Sequence, residues 1–237
     1  MSDSRVVVVT GGTRGIGRAI ADSFLAEGDH VLVTARENPS DLFGMEFLKA
    51  DILSPEDTLR AAHRARELWG RVDVWVNNAG RGAPVAFGTE NAGEWDAIFD
   101  INFRGTVHGC RAALEVLSRP GGSIINVASI AGLMSPPRHG AYSCSKAAVI
   151  ALTRSLAVEF AREGVRVNAV APGPVNTEGF VAAGGNPTER ARNIPAQIMV
   201  SPHEVARACL FLAEPLASMT GHTLTIDGGC TAVGCYA

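Results

Sequence analysis

The stretch RVVVVTGGTRGIG, residues 5–17, decides the fold of this chain. Its four consecutive valines are typical of a β-strand that is covered on both faces. The strand runs into a glycine-rich turn at 11–17, where glycine permits backbone conformations that other residues avoid. Beyond the turn, Ile16, Ile20 and Phe24 recur at the spacing of one helix face. The sequence therefore predicts a buried strand, a tight turn and a helix in direct succession.

The same alternation of strand and helix continues along the chain. Further β-branched runs predict strands at 30–36, 47–52, 72–80, 122–129, 165–173 and 223–229. Two helix starts are marked by a capping serine before a proline, at Ser54-Pro55 and Ser201-Pro202. This pattern predicts an α/β fold, a doubly wound parallel sheet of about seven strands with helices on both faces, in one domain over 1–237. The irregular segment 174–199 is expected to form a substrate lid.

Composition and charge exclude several classes of function. The net charge is −3 and no basic cluster is present, which disfavours a nucleic-acid partner. A membrane span needs about 20 consecutive apolar residues, and neither that nor a secretory signal is found. The five cysteines lack metal-ligand spacing, so we expect free thiols, no metal site and a cytoplasmic location. These cysteines are Cys110, Cys144, Cys209, Cys230 and Cys235.

The glycine-rich turn is predicted to bind the diphosphate of a dinucleotide. Glycines let the backbone approach phosphates closely, and the helix N-terminus presents unpaired N–H groups to them. The predicted contacts are Gly11, Thr13, Arg14, Gly15, Ile16 and Gly17. A glycine turn without a ligand is the alternative, and the strand before the turn and the helix after it make that alternative less favoured.

The end of the second predicted strand bears on the choice between NADP and NAD. An NAD site usually has an acidic residue there for the ribose hydroxyls, whereas an NADP site has an arginine nearby. This chain has Ala35 followed by Arg36, and Arg14 adds a second guanidinium within the glycine turn. Two arginines favour NADP(H), because they suit its 2′-phosphate. The neighbouring Glu37 keeps NAD(H) open as the alternative.

Four polar residues are candidates for the catalytic chemistry. Tyr142 and Lys146 lie four positions apart, so a helix places them on one face, and the ammonium is expected to lower the pKa of the phenol. Ser129 ends the fifth predicted strand, at the edge where doubly wound sheets bind ligands, and could polarise a substrate carbonyl. Asn102 lies in an apolar helical run at 95–110, where a satisfied structural amide is the alternative reading.

These residues together resemble the single-domain branch of the short-chain dehydrogenase/reductase family, and 3-oxoacyl-carrier-protein-reductase-like ketoreductases within it. The matching motifs are Thr10-Gly11-x3-Gly15-x-Gly17, Asn77-Asn78-Ala79-Gly80, Ser129 with Tyr142-x3-Lys146, and Pro172-Gly173. The resemblance covers essentially the whole chain and implies a Rossmann-type fold. One departure is the short connection between Arg36 and Phe47, where relatives commonly fit a helix and where we predict a loop.

The resemblance also implies a role for each matching residue. Tyr142 would be the acid/base, Lys146 would lower its pKa and bind the nicotinamide ribose, and Ser129 would hold the carbonyl. Asn102 would anchor a water in the proton relay. Further cofactor contacts are implied for Asp51, Ile52, Asn78, Ala79, Gly80, Pro172, Gly173, Val175 and Thr177.

The function that these features imply is NADP(H)-dependent interconversion of a ketone and a secondary alcohol, on a small-molecule substrate. An NAD-dependent alcohol or diol dehydrogenase that works oxidatively is one alternative. A catalytically silent nucleotide-binding module is an alternative from another class, which the complete Asn102, Ser129, Tyr142 and Lys146 set disfavours. The resemblance further implies a homotetramer or homodimer.

Overall fold

The computed structural model describes residues 4–39, 41–82, 87–88 and 92–233. Seven parallel strands form one sheet in the order β3-β2-β1-β4-β5-β6-β7. The strands are β1 Val6–Thr10, β2 His30–Ala35, β3 Glu46–Lys49, β4 Val74–Asn77, β5 Ser123–Val127, β6 Arg166–Pro172 and β7 Thr223–Ile226. Each predicted strand is present, so the predicted Rossmann-type parallel sheet is confirmed.

Helices cover both faces of the sheet. They are α1 Gly15–Ala26, α2 Pro55–Trp69, α3 Ala92–Phe99, α4 Gly105–Val116, α5 Gly140–Phe160, α6 Glu178–Ala182, α7 Pro187–Ala191 and α8 Pro202–Ala213. The valines of β1 alternate between the two layers, as side chains of a strand must. Val7 and Val9 pack in the layer that contains α1 and α8, and Val6 and Val8 pack in the layer that contains α2 and α4.

Both predicted helix starts are confirmed by their caps. The Ser54 hydroxyl accepts a hydrogen bond from Asp57 N at 3.0 Å. Ser201 and Glu204 form a capping box. The Ser201 hydroxyl accepts from Glu204 N at 3.2 Å, and the Glu204 carboxylate accepts from Ser201 N at 2.7 Å. These bonds satisfy N–H groups that a helix N-terminus otherwise leaves free.

The connection from β2 to β3 contains no helix in its described residues, in agreement with the predicted loop. Arg18 on α1 holds this loop, because its guanidinium lies 3.3 Å from the Asp41 carboxylate and donates to the Asp41 carbonyl at 3.0 Å. The loop therefore lies against α1 rather than forming a separate layer.

The helical run predicted at 95–110 contains a π-helical turn at Asp100–Arg104, between α3 and α4. The N–H of Gly105 bonds to the Asp100 carbonyl, five residues back. In this turn, Asn102 is fully buried, and the Thr106 hydroxyl donates to its carbonyl at 2.7 Å. The π turn was not predicted, because apolar periodicity does not distinguish it from an α-helix; such turns are frequent at functional sites.

A buried network of polar side chains ties helices α4 and α5 to the centre of the sheet. The Asn77 oxygen accepts from the Trp75 indole at 2.8 Å, and the Asn77 amide donates to Asn126 at 2.9 Å and to the Cys110 sulfur at 3.3 Å. Asn126 in turn donates to the Thr153 hydroxyl on α5 at 2.9 Å. Buried polar groups are tolerated because each has a partner, and such networks specify one arrangement of the elements around them.

The described cysteines Cys110, Cys144, Cys209 and Cys230 are free thiols, as predicted, and Cys235 lies outside the described residues.

Within the described part of the chain, no helix is both long enough and apolar enough to cross a bilayer.

Substitution of Gly109 by alanine tests the buried network. A Cβ at this position would lie 1.9 Å from the Asn77 side-chain oxygen, so the network must break or α4 must shift. We expect a loss of about 2–4 kcal/mol in the free energy of unfolding, from overpacking and a buried polar group that loses its partner. Urea denaturation measures it. Gly179→Ala on α6 is the matched control, because a Cβ there meets only Thr177 Oγ1 at 3.9 Å; equal stability of the two variants would contradict the prediction.

Candidate functional site

The glycine turn after β1 forms a close-packed cradle at the N-terminus of α1. Gly11 and Gly15 have φ values of +63° and +55°, which favour glycine. A Cβ on Gly17 would lie 2.2 Å from the Gly11 carbonyl oxygen, and one on Gly12 would lie 2.6 Å from a methyl of Val33. Side chains at these two positions would therefore collide with the turn itself and with β2. The cradle leaves the first N–H groups of α1 accessible to an anion.

The residues after β4 hold this cradle in place. The Asn78 amide donates to the carbonyls of Thr10 and Gly11, each at 3.0 Å. The Thr10 hydroxyl accepts from the backbone N of Asn78 at 3.0 Å and of Ala79 at 3.2 Å. Asn78 was predicted as a cofactor contact; the structure shows it as a brace of the glycine turn. The sequence motif alone does not single out Thr10, whose side chain is the other half of this brace.

Arg14 and Arg36 lie at the same edge of the sheet, one in the glycine turn and the other just beyond β2. Thr10 of β1 pairs in register with Thr34 of β2, which places both following segments side by side. Both side chains are exposed, and neither makes an ion pair within the described residues. Glu37 is also exposed and unpaired there. Two guanidiniums without internal partners thus flank the place where an adenosine ribose is expected.

The segment after β3 is fixed to α4. The Asp51 carboxylate accepts from Leu53 N at 3.0 Å through one oxygen. The Ile52 carbonyl accepts from the His108 ring at 3.0 Å, and a Cβ on Gly105 would lie 2.7 Å from the Ile52 side chain. These contacts hold Asp51 and Ile52 at the carboxyl edge of the sheet.

The segment after β6 lies across the cradle. Gly173 is packed against Asp227, where a Cβ would approach within 2.8 Å, and Val175 bridges to Val200. The Thr177 methyl lies 3.7 Å from the Cβ position of Gly15, and the Thr177 hydroxyl caps α6 by accepting from Phe180 N at 3.1 Å. Of the predicted lid 174–199, α6 and α7 are helical and the rest consists of turns.

Tyr142, Lys146 and Ser129 come together between β5 and α5. Lys146 is buried, and its ammonium donates to the Val127 carbonyl at 2.8 Å. The same nitrogen lies 5.8 Å from the centre of the Tyr142 ring. Ser129 follows β5, and its hydroxyl accepts from Ala131 N at 3.1 Å, which fixes the serine at the strand end.

Burial dominates the protonation of these groups. It raises the pKa of the Tyr142 phenol, and a hydrogen bond with the Ser129 side chain lowers it by a smaller amount. Burial also lowers the pKa of Lys146 to about 8. Lys146 is not among the causes that shift the pKa of Tyr142, and the expectation that it lowers this pKa stays a prediction. The ammonium is itself desolvated and lies beside the ring, with its hydrogen bond directed to Val127.

Asn102 links the loop after β4 to α5. Its oxygen accepts from Arg81 N at 2.8 Å, and its amide donates to the Arg81 carbonyl at 2.9 Å and to the Ser145 hydroxyl at 3.0 Å. Ser145 donates to the Tyr142 carbonyl at 2.7 Å. The satisfied structural amide is thus observed, and Ser145 is a residue that the sequence reasoning missed. Its only signal was a serine one turn after the tyrosine, a spacing at which a hydroxyl can bond back to the helix carbonyl.

Two glycines after β4 allow the catalytic candidates to converge. A Cβ on Gly80 would lie 3.0 Å from the Asn102 oxygen and 3.5 Å from the Lys146 ammonium, and one on Gly82 would lie 3.7 Å from the Tyr142 ring. All four candidates therefore surround one point at the carboxyl edge of the sheet. No group of three or more potential metal ligands occurs within residues 4–39, 41–82, 87–88 and 92–233.

Substitution of Lys146 by methionine tests its lowered pKa. Between pH 8 and 10.5 the folded chain binds fewer protons at Lys146 than the unfolded chain, so wild-type stability rises with pH there. We expect the difference in free energy of unfolding, wild type minus variant, to increase by up to about 2 kcal/mol between about pH 7 and about pH 9.5. Urea denaturation without cofactor measures it, with Lys49→Met at the exposed edge of the sheet as the control. A difference that stays constant would contradict the prediction.

Comparison with known proteins relates the whole chain to one family. The family model described as enoyl-(acyl carrier protein) reductase matches residues 11–231. The short-chain type dehydrogenase/reductase y4vI of Sinorhizobium fredii is 38% identical over 95% of this chain, which spans 43% of that relative. 3beta-hydroxysteroid dehydrogenase 1 of Eggerthella lenta is 36% identical over 96% of this chain and 94% of its own length.

A solved structure gives the same result. ElxO with NADP bound is 31% identical to this chain, with a TM-score of 0.89 over 97% of this chain and 100% of that one. Sequence and fold agree in these comparisons, and the resemblance carried by the glycine, Asn77-Asn78-Ala79-Gly80 and Tyr142-x3-Lys146 motifs is confirmed. The chain belongs to the short-chain dehydrogenase/reductase family.

Proposed function

We propose that this short-chain dehydrogenase/reductase is an NADP(H)-dependent oxidoreductase that interconverts a ketone and a secondary alcohol. The observation that carries the proposal is the convergence of Asn102, Ser129, Tyr142 and Lys146 on one point beside the glycine cradle. A phenol, a hydroxyl and an ammonium grouped in this way suit proton transfer to and from a substrate oxygen.

The residues present fit a nicotinamide dinucleotide. The turn at Gly11 and Gly17 is too closely packed to carry side chains at these positions, and it has the strand–turn–helix order that suits a diphosphate. Thr13, Arg14, Gly15 and Ile16 would complete the diphosphate site, Asp51 and Ile52 would border the adenine, and Asn78, Ala79 and Gly80 would line the floor. Pro172, Gly173, Val175 and Thr177 would border the nicotinamide side, and the bound nicotinamide would supply or accept a hydride.

Arg14 and Arg36 support NADP(H) over NAD(H). Their side chains are exposed and unpaired within the described residues, so a 2′-phosphate would meet two guanidiniums that lose no internal partner on binding. ElxO, a protein of the same length and fold, has been solved with NADP bound. Glu37 is the feature that favours the NAD(H)-dependent, oxidative alternative, since its exposed carboxylate could bind ribose hydroxyls.

Tyr142 would donate the proton when the ketone is reduced. Because burial raises its pKa, the phenol is neutral near pH 7 and carries the proton that a nascent alkoxide needs. The Ser129 hydroxyl would bond the same substrate oxygen and hold it against the phenol. In the oxidative direction, the proton would return from the alcohol to Tyr142.

Lys146 and Asn102 would carry the proton between Tyr142 and solvent. The ammonium uses one of its three donors on Val127, and with a pKa of about 8 it can exchange protons near neutral pH. Both side-chain amide hydrogens of Asn102 are donated to Arg81 and Ser145. A relay water would therefore bind the backbone carbonyl of Asn102 instead. That backbone carbonyl also accepts from the Thr106 hydroxyl.

The predicted homotetramer or homodimer and the cytoplasmic location stay predictions. An exposed row on α5 supports pairing of copies through this helix; it consists of Cys144, Ala147, Ala151 and Val158.

Replacing Tyr142 by phenylalanine tests the assigned acid. The variant keeps the ring but loses the proton, so we expect kcat for ketone reduction to fall by at least about 10³-fold, with NADPH affinity changed by less than about threefold. Stopped-flow NADPH oxidation and calorimetric titration measure the two quantities. Ser143→Ala removes a neighbouring buried hydroxyl that has no hydrogen-bond partner among the described residues and should keep wild-type turnover. Near-normal turnover by the phenylalanine variant would refute the role of Tyr142.

Substitution of Arg14 and Arg36 by alanine tests the cofactor preference. We expect wild-type protein to bind 2′,5′-ADP at least tenfold tighter than 5′-AMP, about 1.4 kcal/mol, because only the former carries the 2′-phosphate. The double variant should bind both equally in calorimetry. Arg207→Gln, an exposed arginine on α8, is the control. Equal binding by wild type, or tighter binding of NADH than NADPH, would favour the NAD-dependent alternative, with Glu37 as the ribose contact.

A further inference from the structure

The stretch of sequence from β5 through most of α5, which includes Tyr142, carries basic residues and no acid. Residues 116–158, which contain β5 and α5 as far as Val158, have no Asp or Glu, and the first acid on α5 is Glu159 in its last turn. The same segment contributes Arg138 and the buried Lys146 to the site. On the π turn, the Asp100 carboxylate pairs with Arg104 at 3.2 Å. A neutral ketone would offer no opposite charge to these basic side chains.

Arg81 is held in position against the reacting phenol. Both polar groups of its backbone are bound by Asn102, and the next residue, Gly82, lies against the Tyr142 ring, with its Cβ position 3.7 Å away. The Arg81 side chain itself is exposed and makes no ion pair within the described residues. The backbone is thus fixed while the guanidinium is left available.

Arg138 precedes the helix that carries the phenol. It lies four residues before Tyr142, immediately before the N-terminal cap of α5, and its φ is +65°. An arginine in the left-handed region costs of order 1 kcal/mol or more, and strain of this kind clusters at functional sites. Its guanidinium is also exposed and without an ion pair among the described residues.

Large apolar side chains are exposed around the same edge. Leu133 and Met134 follow the turn that Ser129 caps, and they are 46% and 45% exposed. On the segment 174–199, Val181 is 51% and Ile198 is 62% exposed. That segment carries its own arginines and acids in equal number, namely Arg190, Arg192, Glu178 and Glu189, so its net charge is zero. Apolar side chains that are exposed together in one region mark a place where an apolar ligand or partner binds.

We propose that the substrate of this site is an amphiphilic oxoacid, with an apolar body and a carboxylate or similar oxyanion that Arg81 and Arg138 bind. The apolar body would cover Leu133, Met134, Val181 and Ile198. The inference rests on the proposed function, because it names the class of ketone that the enzyme reduces. Two guanidiniums without competing carboxylates provide charge-assisted hydrogen bonds to such a group.

A panel of four ketones separates charge from apolar length. The compounds are 9-oxodecanoate, its methyl ester, 4-oxopentanoate and its methyl ester, each assayed for kcat/KM at saturating NADPH. We expect 9-oxodecanoate to exceed both its ester and 4-oxopentanoate by at least tenfold. Saturation with cofactor removes any effect of the arginines on NADPH binding from the comparison.

Substitutions assign the charge preference to the two arginines. Arg81→Gln and Arg138→Gln should each lower the acid-to-ester ratio of kcat/KM by about tenfold. Arg154→Gln is the matched control, because Arg154 is an exposed arginine on the same helix, about 18 Å along α5 from Tyr142. The control should keep the wild-type ratio.

The failure of this inference differs from the failure of the proposed function. Turnover of the esters at the rate of the acids, with a ratio that the arginine variants leave unchanged, would overturn the oxoacid and keep the ketoreductase. Calorimetric titration of decanoate and decanamide into the NADP⁺-saturated protein gives a readout independent of turnover. Tighter binding of decanoate that Arg138→Gln removes would support the oxoacid, and equal binding of the two would overturn it even if none of the ketones reacts.

Discussion

The buried amide of Asn102 is the contact on which the geometry of the site depends. It binds both polar groups of the Arg81 backbone and the Ser145 hydroxyl, and Ser145 binds the Tyr142 carbonyl. One side chain therefore fixes the loop after β4 relative to the first turn of α5. The Asn102–Ser145 bond is buried, and leaving its groups unpaired would cost about 1–3 kcal/mol. The π turn around Asn102 is compatible with this demand, because it aims a helical amide into the sheet edge rather than along the helix surface.

Desolvation, rather than pairing of opposite charges, sets the protonation of the reacting groups. The phenol of Tyr142 is kept neutral and the ammonium of Lys146 is brought close to neutral pH by the same burial. A neutral phenol could donate the proton that the substrate oxygen needs when a carbonyl is reduced. The positive charge contributed by Arg81 and Arg138 lies around this point without a carboxylate from residues 116–158, so an anionic substrate would complete the charge balance.

Local sequence patterns predicted the parts of the structure that short-range chemistry controls. The valine runs predicted the strands, and Ser54 and Ser201 predicted their helix starts, because a cap is a contact within one turn. The glycine turn and Tyr142-x3-Lys146 predicted the location of the site. The sequence did not show the π turn, the direction of the Lys146 hydrogen bond, the brace by Asn78 or the left-handed Arg138. Each of these depends on contacts between segments far apart in the chain, which periodicity and spacing do not encode.

Transfer of a labelled hydride tests the central claim most directly. The wild-type protein would be incubated with NADPH that carries deuterium at both C4 positions of the nicotinamide and with methyl 9-oxodecanoate or 9-oxodecanoate, and the product would be analysed by NMR and mass spectrometry. A ketoreductase is expected to place one deuterium on the carbinol carbon for each NADPH oxidised, with either ketone as acceptor. Oxidation of NADPH without deuterium at that carbon, or no oxidation with NADPH while NADH reacts, would contradict the proposed NADP(H)-dependent reduction.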